Sequence, residues 1–301
     1  MAIDDGLTAW QRATNHNRMI ALEQSVAVEG PVKIASFGGS AFRITTPAGL
    51  TVMIDPWRNH PARRWDWYFH NFPLTAVDIG ISTHAHFDHD ALHRLDASVL
   101  LDRPIGRYAV GDLVVETVPD KHATDPTFAT YDFRLINGYF GGQMLTPPDN
   151  GRSWDNCLVL LETGGLRILH WGDNRHDPPE TVWQRLRQID ILLMPVDDSQ
   201  HVMGHPMVAE VIARLAPRIV IPHHYYVWNI VQRQSTLLPV DRWLATQDCV
   251  REISGAEAAF DPAGLPEKTE VHSFGDHVAF DVDAWHRENG LAITPQGTER
   301  P

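Results

Sequence analysis

Seven residues of the chain, 84–90, concentrate side chains that could bind metal ions. They include three histidines and two aspartates: His84, His86, Asp88, His89 and Asp90. Imidazole together with carboxylate suits Zn²⁺ and is compatible with Mn²⁺ or Fe²⁺. On a tight turn, ligands two residues apart can converge on one ion, while the next pair can face a second. One turn cannot fill two coordination spheres, so the stretch predicts further ligands elsewhere in the chain.

Three other positions offer such ligands, and each follows an apolar run. They are His122, Asp173 and the adjacent pair His223 and His224. Because such a run is typical of a buried strand, we expect each position at the edge of a sheet. Taken alone, each residue is more typical of a structural or surface position. Together with the dense histidine-aspartate turn, they are predicted ligands.

Asp55 closes another apolar run, directly before Pro56. A carboxylate at such a place either caps a turn or orients a histidine that binds a metal through its other nitrogen. The residue by itself favours the turn cap.

The elements around the histidine turn are predicted from apolar periodicity. A helix is expected over residues 8–27. A three-stranded meander with Gly and Pro turns follows at 33–37, 41–46 and 50–56. A buried strand over 76–81 leads into the turn, and a helical pattern over 90–95 leads out of it.

Beyond the turn, alternating residues predict strands over 111–122 and 128–136, then a loop over 137–153. Gly164-Gly165 predicts a tight hairpin between strands at 157–163 and 166–171. The second half alternates strands and helices. Strands are expected at 190–196 and 218–225, helices at 179–189, 206–215 and 240–246, and a last hairpin at 271–280.

The composition is that of a soluble globular protein, with 43% hydrophobic and 21% charged residues among 301. The net charge of −13 argues against a nucleic-acid partner, because phosphate binding requires clustered Lys and Arg. No apolar run approaches bilayer length, and we expect no signal peptide and no membrane partner. With only two cysteines, Cys157 and Cys249, the expected location is the reducing cytoplasm.

Two segments are candidates for substrate recognition. Residues 57–73 combine aromatic and basic side chains, including Arg58, Trp65 and Trp67. They either form a loop over the site, with apolar walls and an arginine for an anionic group, or pack a surface insertion. The other segment is residues 197–205. It either contacts the substrate or protonates a leaving group, or it forms a polar loop. Its titratable residues are Asp197, Asp198, His201 and His205.

These motifs together resemble the metallo-β-lactamase superfamily. Residues 82–90 match its Thr-His-x-His-x-Asp-His signature. Later blocks match in order, at Pro119 to His122, Gly172-Asp173 and Pro222 to Tyr225, and Ile54-Asp55-Pro56 resembles the first motif. The resemblance covers about residues 32–280. Within the superfamily, the pattern is most similar to the branch of ascorbate-6-phosphate lactonase and related hydrolases.

The resemblance implies an α/β fold, an αββα sandwich with the site at the sheet edge. The sandwich is expected over residues 31–285, between a helical appendage at 1–30 and a polar tail at 286–301. The first metal would be held by His84, His86 and His122. The second would be held by Asp88, His89 and His224. Asp173 would bridge the two, Asp55 would support a ligand from behind, and His223 would be a neighbour.

The implied function is a metal-dependent hydrolase with two divalent ions, with Zn favoured and Mn or Fe compatible. Two such ions about 3.5–4 Å apart lower the pKa of a bridging water. The hydroxide would attack a small ester-like substrate, either a lactone or a phosphoester, with Asp88 and Asp173 as catalytic candidates. Alternatives on the same fold are a mononuclear-iron redox enzyme of the sulfur dioxygenase kind and a non-catalytic binding protein. The branch also implies a homo-oligomer.

Overall fold

The computed structural model describes residues 28–60, 66–123, 156–198, 202–232, 235 and 237–290. The predicted helix at 8–27, the strand at 128–136 and the loop at 137–153 lie outside these residues. Fourteen strands occur within the described ranges. They are β1 (Val32–Ser36), β2 (Phe42–Thr45), β3 (Thr51–Ile54), β4 (Thr75–Ser82), β5 (Leu95–Asp102), β6 (Gly106–Val110), β7 (Leu113–Asp120), β8 (Asn156–Thr163), β9 (Leu166–His170), β10 (Ile191–Pro195), β11 (Ile219–His223), β12 (Val250–Glu252), β13 (Glu257–Phe260) and β14 (Glu270–Ser273).

The helices among the described residues are short. They are α1 (Glu180–Trp183), α2 (His205–Leu215), α3 (Asp241–Leu244) and α4 (Val282–Glu288), with 3₁₀ turns at Leu92–Arg94 and Pro262–Gly264. None of these helices is long and apolar enough to cross a bilayer.

The strands form two mixed sheets that pack face to face. One sheet has the order β13-β1-β2-β3-β4-β5, and the other has the order β12-β14-β11-β10-β9-β8-β7-β6. Along β8, Val159 and Leu161 pack in a buried cluster that includes residues of both sheets. Leu158 and Leu160 pack instead in the cluster that contains Val208 of α2. Because β8 is covered on both faces, its sequence is a continuous apolar run. The layers are those of the predicted αββα sandwich.

The sheets bring several strand ends to one edge. Strands β3 and β4 are parallel neighbours in one sheet, and β9, β10 and β11 are parallel neighbours in the other. Strand β7 points the same way as β9, because both are antiparallel to β8. The backbone N–H of Cys157, at the start of β8, donates to Thr83 O after β4 at 2.9 Å. Side chains that follow these strand ends can therefore meet at a single place.

Several predicted elements are confirmed. The meander forms β1, β2 and β3 in antiparallel register. The predicted hairpin is β8 and β9, and its two central residues, Gly164 and Gly165, have φ values of +56° and +75°. Positive φ at both positions is the geometry of a type I′ turn, which suits the twist of paired strands.

Other predictions are wrong in detail. The helix expected at 90–95 is the single 3₁₀ turn Leu92–Arg94, because the chain enters β5 at Leu95. The hairpin expected at 271–280 is wrong, since β14 pairs in parallel with β11 and β12. The helix expected at 179–189 is reduced to α1, after which the backbone continues in turns with bonds to the third residue back, such as Leu186 N to Trp183 O. The edge strands β5, β6, β12 and β13 are not predicted from the sequence.

The hairpin turn offers a test of backbone geometry. A Cβ on Gly164 would lie 2.8 Å from Gly30 O and 2.7 Å from Val32 Cγ2, in a conformation with φ +56°. We expect Gly164→Ala to lower the free energy of unfolding by about 1–3 kcal/mol, since it adds αL strain and a backbone clash. Gly255 is the control, because its added Cβ would meet nothing within 4 Å. Gly255→Ala should change stability by less than about 0.5 kcal/mol in urea titrations. Equal effects of the two variants would contradict the predicted role of the turn.

Candidate metal centre

Seven predicted ligand residues converge at the shared strand edge in two groups of four. We call His84, His86, His122 and Asp173 the outer set, and Asp88, His89, Asp173 and His224 the inner set. In each set, the four candidate ligand atoms lie within 4.8 Å of one another. Asp173 belongs to both sets. The inner set is entirely buried, whereas the outer set includes the exposed His86.

The histidine turn is held in shape by Asp55. Its carboxylate accepts hydrogen bonds from Thr83 N and Thr83 Oγ1, both at 2.7 Å, and lies 2.8 Å from His89 Nδ1. Asp55 is fully buried and adopts φ +52°, in the left-handed region. A strained residue with three short contacts to Thr83 and His89 fits the hypothesis that Asp55 supports a ligand, and the same contacts cap the turn.

Asp173 reaches the centre through a close approach of two loops. Gly172 has φ +57°, and a Cβ there would lie 2.9 Å from both Asn156 Oδ1 and Thr83 Oγ1. Only glycine allows the loop after β9 to pack this tightly against the residue that precedes His84. The backbone O of Asp173 also accepts from Ala123 N at 2.6 Å, which joins the Asp173 loop to the His122 loop.

His224 is fixed from three sides. Its backbone N–H donates to Gly39 O at 2.9 Å, and it adopts φ +55°. Its Nε2 lies 3.2 Å from Asp88 Oδ2 and 3.4 Å from Asp173 Oδ2. Its Nδ1 lies 3.3 Å from Asp197 Oδ1. The ring therefore places one nitrogen toward the centre and the other toward a second buried carboxylate.

His223 points elsewhere. Its Nδ1 lies 3.1 Å from Ser40 Oγ, and its ring stacks on His170 with centroids 4.7 Å apart. His170 Nε2 donates to Ser40 O at 2.9 Å, and its Nδ1 accepts from Gly172 N at 3.0 Å. The pair thus packs behind the centre and belongs to neither ligand set.

The polar atoms at the centre fit a cation. Among the described residues, three histidine nitrogens and both Asp173 oxygens are buried without a hydrogen-bond partner. The nitrogens are His84 Nε2, His89 Nε2 and His122 Nε2. Each lies 3.4–3.8 Å from Asp173 Oδ2. Buried polar atoms are normally satisfied, so a group of them facing one point indicates a missing partner. Neutral imidazole and carboxylate are the ligands that Zn²⁺ and similar ions take.

The outward-facing nitrogens have partners that favour this orientation. His84 Nδ1 lies 3.0 Å from Thr83 Oγ1, and His122 Nδ1 donates to Ala123 O at 2.7 Å. When Nδ1 carries the proton, Nε2 presents its lone pair, as a metal ligand must.

Electrostatics around the centre are dominated by carboxylates. Four are buried: Asp55, Asp88, Asp173 and Asp197. Within the described residues, all their ion pairs are with histidines, and none is with Lys or Arg. Buried charges need compensation. A divalent cation would supply it.

The pKa values of the histidines respond to this environment. Burial lowers the pKa of His84 well below 6.5, and His89 and His86 lower it further. Burial also acts to lower the pKa of His89, but the carboxylates of Asp173, Asp88 and Asp55 outweigh it and hold that pKa well above 6.5. The pKa of His224 is raised in the same way by Asp173 and Asp197 against the effect of burial.

The predicted substrate residues are placed differently from one another. The Arg58 guanidinium donates to both oxygens of Asp90, at 2.6 and 2.9 Å, so it stabilises the histidine turn. The indole of Trp67 lies edge-on to the His224 ring, with centroids 6.2 Å apart. His205 begins α2 and donates from Nε2 to Val196 O at 3.0 Å. Trp65 and His201 lie outside the described residues.

Three further residues lie near the centre, although the sequence did not predict their contacts there. Phe87 is half-exposed and packs edge-on to Trp67, with centroids 5.1 Å apart. Tyr68 stacks on Trp57 at 4.0 Å, and burial followed by Asp88, Asp173 and Asp197 raises the pKa of its hydroxyl well above 10. Asp197 lies 3.3 Å from His224, a predicted ligand, and is not in a loop that faces a substrate as expected. Adjacent aspartates at 197 and 198 carried no signal that distinguished them.

A family model described as the beta-lactamase superfamily domain matches residues 33–224. A metal-dependent hydrolase of Thermodesulfovibrio yellowstonii is 26% identical over 218 residues, which cover 66% of this chain and 80% of that protein. A metal-dependent hydrolase of Methanosphaera stadtmanae is 28% identical over 232 residues, which cover 68% of this chain and 89% of that protein.

A solved structure from Thermotoga maritima has a similar fold. That protein is assigned to the Zn-dependent hydrolases of the metallo-β-lactamase superfamily. It is 22% identical, with a TM-score of 0.56, and the match covers 80% of this chain and 97% of that one. At this identity the likeness shows the fold.

The raised pKa values of His89 and His224 predict opposite pH trends with and without metal. Protons on these histidines stabilise the metal-free fold below pH 6.5, and this stabilisation is lost as the pH rises through the raised folded-state values. A cation must displace the same protons. We therefore expect Zn²⁺ to raise the melting temperature more at pH 8 than at pH 6.

Differential scanning fluorimetry of chelator-treated protein, with and without Zn²⁺ in matched buffers, measures this difference. The Asp173→Ala variant is the control, since it should lose most of the Zn²⁺-dependent shift at both pH values. A wild-type shift that is the same at pH 6 and pH 8 would contradict the linkage.

Proposed function

The chain belongs to the metallo-β-lactamase superfamily, and on that premise we propose that it is a metal-dependent hydrolase with a binuclear centre. One observation carries the proposal. Two sets of four ligand atoms, each within 4.8 Å, share the carboxylate of Asp173. The names of the relatives from Thermodesulfovibrio yellowstonii and Methanosphaera stadtmanae, both metal-dependent hydrolases, support it.

The ligand roles follow from the two sets. We assign one divalent ion to the outer set and one to the inner set, with Asp173 bridging them. When bound, the ions would activate a water molecule and polarise an electrophilic carbonyl or phosphoryl oxygen. Zn²⁺ is favoured because five of the seven ligands are histidines, and Mn²⁺ or Fe²⁺ is compatible.

The residues of the chain orient and insulate this centre. Asp55 holds the histidine turn, and Gly172 allows Asp173 to approach it closely. Asp88 Oδ2 lies 3.4 Å from His89 Nε2 and 3.2 Å from His224 Nε2, so its carboxylate is deep in the inner set. Asp88 is also our candidate for moving a proton during hydrolysis.

Charge balance favours an uncharged ester among the candidate substrates. Two divalent ions would be offset by four buried carboxylates, Asp55, Asp88, Asp173 and Asp197. Arg58, the arginine predicted to meet an anionic group, is paired with Asp90. A near-neutral site of this kind favours a lactone over an anionic phosphoester. The Trp67 ring beside His224, and the Phe87 ring that packs on Trp67, would contact an apolar portion of the substrate.

Asp173→Ala tests the proposal. We expect purified wild-type protein to bind two divalent ions and to hydrolyse members of a panel of lactones and phosphodiesters. The variant should bind fewer ions and lose at least about 100-fold in activity, since removing even outer partners of a metal ligand costs roughly 10–100-fold. Metal content by plasma mass spectrometry and initial rates measure the two effects.

The control is Asp248→Ala, which removes the same charge from an exposed position. It should retain wild-type metal content and rates. Bound iron together with oxygen consumption would support the redox alternative and contradict the hydrolase proposal. A wild-type chain with no divalent metal, or an Asp173→Ala variant with unchanged hydrolysis, would overturn the proposal.

A further inference from the structure

Asp197 carries a fully buried carboxylate. It lies just beyond strand β10, with Val196 between them. Its side chain has 0% exposure. Among the described residues, neither of its oxygens has a hydrogen-bond partner within ordinary geometry. The His224 ring lies beside it, with Nδ1 at 3.3 Å from Asp197 Oδ1. A buried carboxylate is retained at such a place only when an N–H or a positive charge compensates it.

The contact decides which His224 nitrogen carries a proton. A carboxylate can only accept, so its negative charge 3.3 Å from Nδ1 favours the proton on that nitrogen. The lone pair is then on Nε2, which faces Asp88 and Asp173 in the inner set. Asp197 therefore holds His224 in the tautomer and ring orientation that a metal ligand requires.

His89, the other histidine of the inner set, is backed in the same way. Its Nδ1 lies 2.8 Å from Asp55 Oδ2. The outer set differs, because its histidines contact neutral acceptors. His84 is beside the Thr83 hydroxyl and His122 is beside the Ala123 carbonyl. The fold thus places carboxylates behind both histidines of one set and uncharged oxygens behind two of the other.

The direct ligands add to this asymmetry. Asp88 belongs to the inner set alone, whereas Asp173 is shared. An ion in the inner set would have two carboxylates as ligands and two more behind its histidines. An ion in the outer set would have Asp173 as its only carboxylate ligand, together with three histidines, of which His86 is exposed to solvent. Carboxylates behind an imidazole raise its basicity as a ligand, and carboxylate ligands attract the cation directly.

We infer that Asp197 is a positioning residue for His224, and that it helps make the inner set the tighter cation site, which fills before the outer set. The inference rests on the proposed binuclear function, and it adds the order in which the two ions bind. The outer set is then the site that exchanges its ion.

Metal titration of the chelator-treated full chain tests the inference. Zn²⁺ is added in competition with a chromophoric chelator to wild type and to Asp197→Ala, Asp197→Asn, His224→Ala and His86→Ala. His224→Ala identifies the binding step of the inner set, and His86→Ala identifies that of the outer set. Wild type should show two steps, of which the tighter is lost in His224→Ala.

Asp197→Ala should weaken the tighter step by about 10–100-fold and leave the other step unchanged. Asp197→Asn should have an intermediate effect, because its amide oxygen can accept the Nδ1 proton without a charge. The matched control is Asp198→Asn, one residue along the same segment. Asp198 is exposed, accepts from His205 N at 3.1 Å, and has φ +56°, which asparagine tolerates. Asp198→Asn should leave both steps unchanged.

A spectroscopic measurement separates positioning from general destabilisation. Long-range ¹H–¹⁵N correlation spectra of the Zn²⁺-loaded protein report which nitrogen of His224 carries the proton. Wild type should show the proton on Nδ1 alone. Asp197→Ala should broaden or shift this pattern, and Asp197→Asn should restore it in part. If Asp197→Ala does not fold, as judged by circular dichroism, Asp197→Asn alone decides the result.

The outcomes distinguish this inference from the proposed function. Two binding steps with Asp197 variants indistinguishable from wild type overturn the role of Asp197 while the binuclear centre stands. A tighter step that is lost in His86→Ala overturns the proposed order of filling. A single step in wild type overturns the binuclear proposal and, with it, the order. The absence of any Zn²⁺ binding overturns both.

Discussion

The carboxylate of Asp173 is the constraint around which the site is arranged. Both of its oxygens are buried and lack a hydrogen-bond partner among the described residues, and four histidine nitrogens lie within 3.8 Å of one of them. Without a metal ion, the carboxylates depend on protons carried by His89 and His224, because neutral imidazole lone pairs and carboxylates are all acceptors. The fold places these groups in one another's reach, so its hydrogen bonds elsewhere must be strong enough to prevent them from moving apart.

The outer contacts supply that restraint. Asp55 joins the end of β3 to the histidine turn after β4, through three contacts of 2.7–2.8 Å. On the other sheet, Asn174 donates to Asp120 at 2.9 Å, and the Arg175 guanidinium binds the same carboxylate. These contacts join the end of β7 to the turn after β9, and they flank His122 and Asp173. Each ligand loop is thus tied to a neighbouring strand end before any ion is considered.

Much of this site could be predicted from sequence because its ligands follow strands in which most residues are buried. Such strands appear as continuous apolar runs, and the polar residue at the end of each run is conspicuous. The half-exposed edge strands carry no comparable pattern. Strand β5, for example, has a single buried residue, Leu95, which falls within the helix expected at 90–95, and no strand is predicted from the residues that follow it. Leu95 and Leu100 instead pack within 2.8 Å of where a Cβ on Gly80 would lie. The helical spacing of leucines therefore reflected packing against β4.

The distinction between Asp197 and Asp198 could not be predicted from sequence. It bears on the different roles of the inner and outer sets. Their carboxylates separate because Asp198 adopts φ +56°, which turns one side chain toward His224 and the other toward the start of α2. The buried carboxylate then serves the inner set. The outer set retains the exposed His86, beside the half-exposed Phe87. Since a substrate can only approach from the exposed side, the inner set is suited to holding an ion. The outer set, in which the exposed His86 directly precedes Phe87, is suited to meeting the substrate.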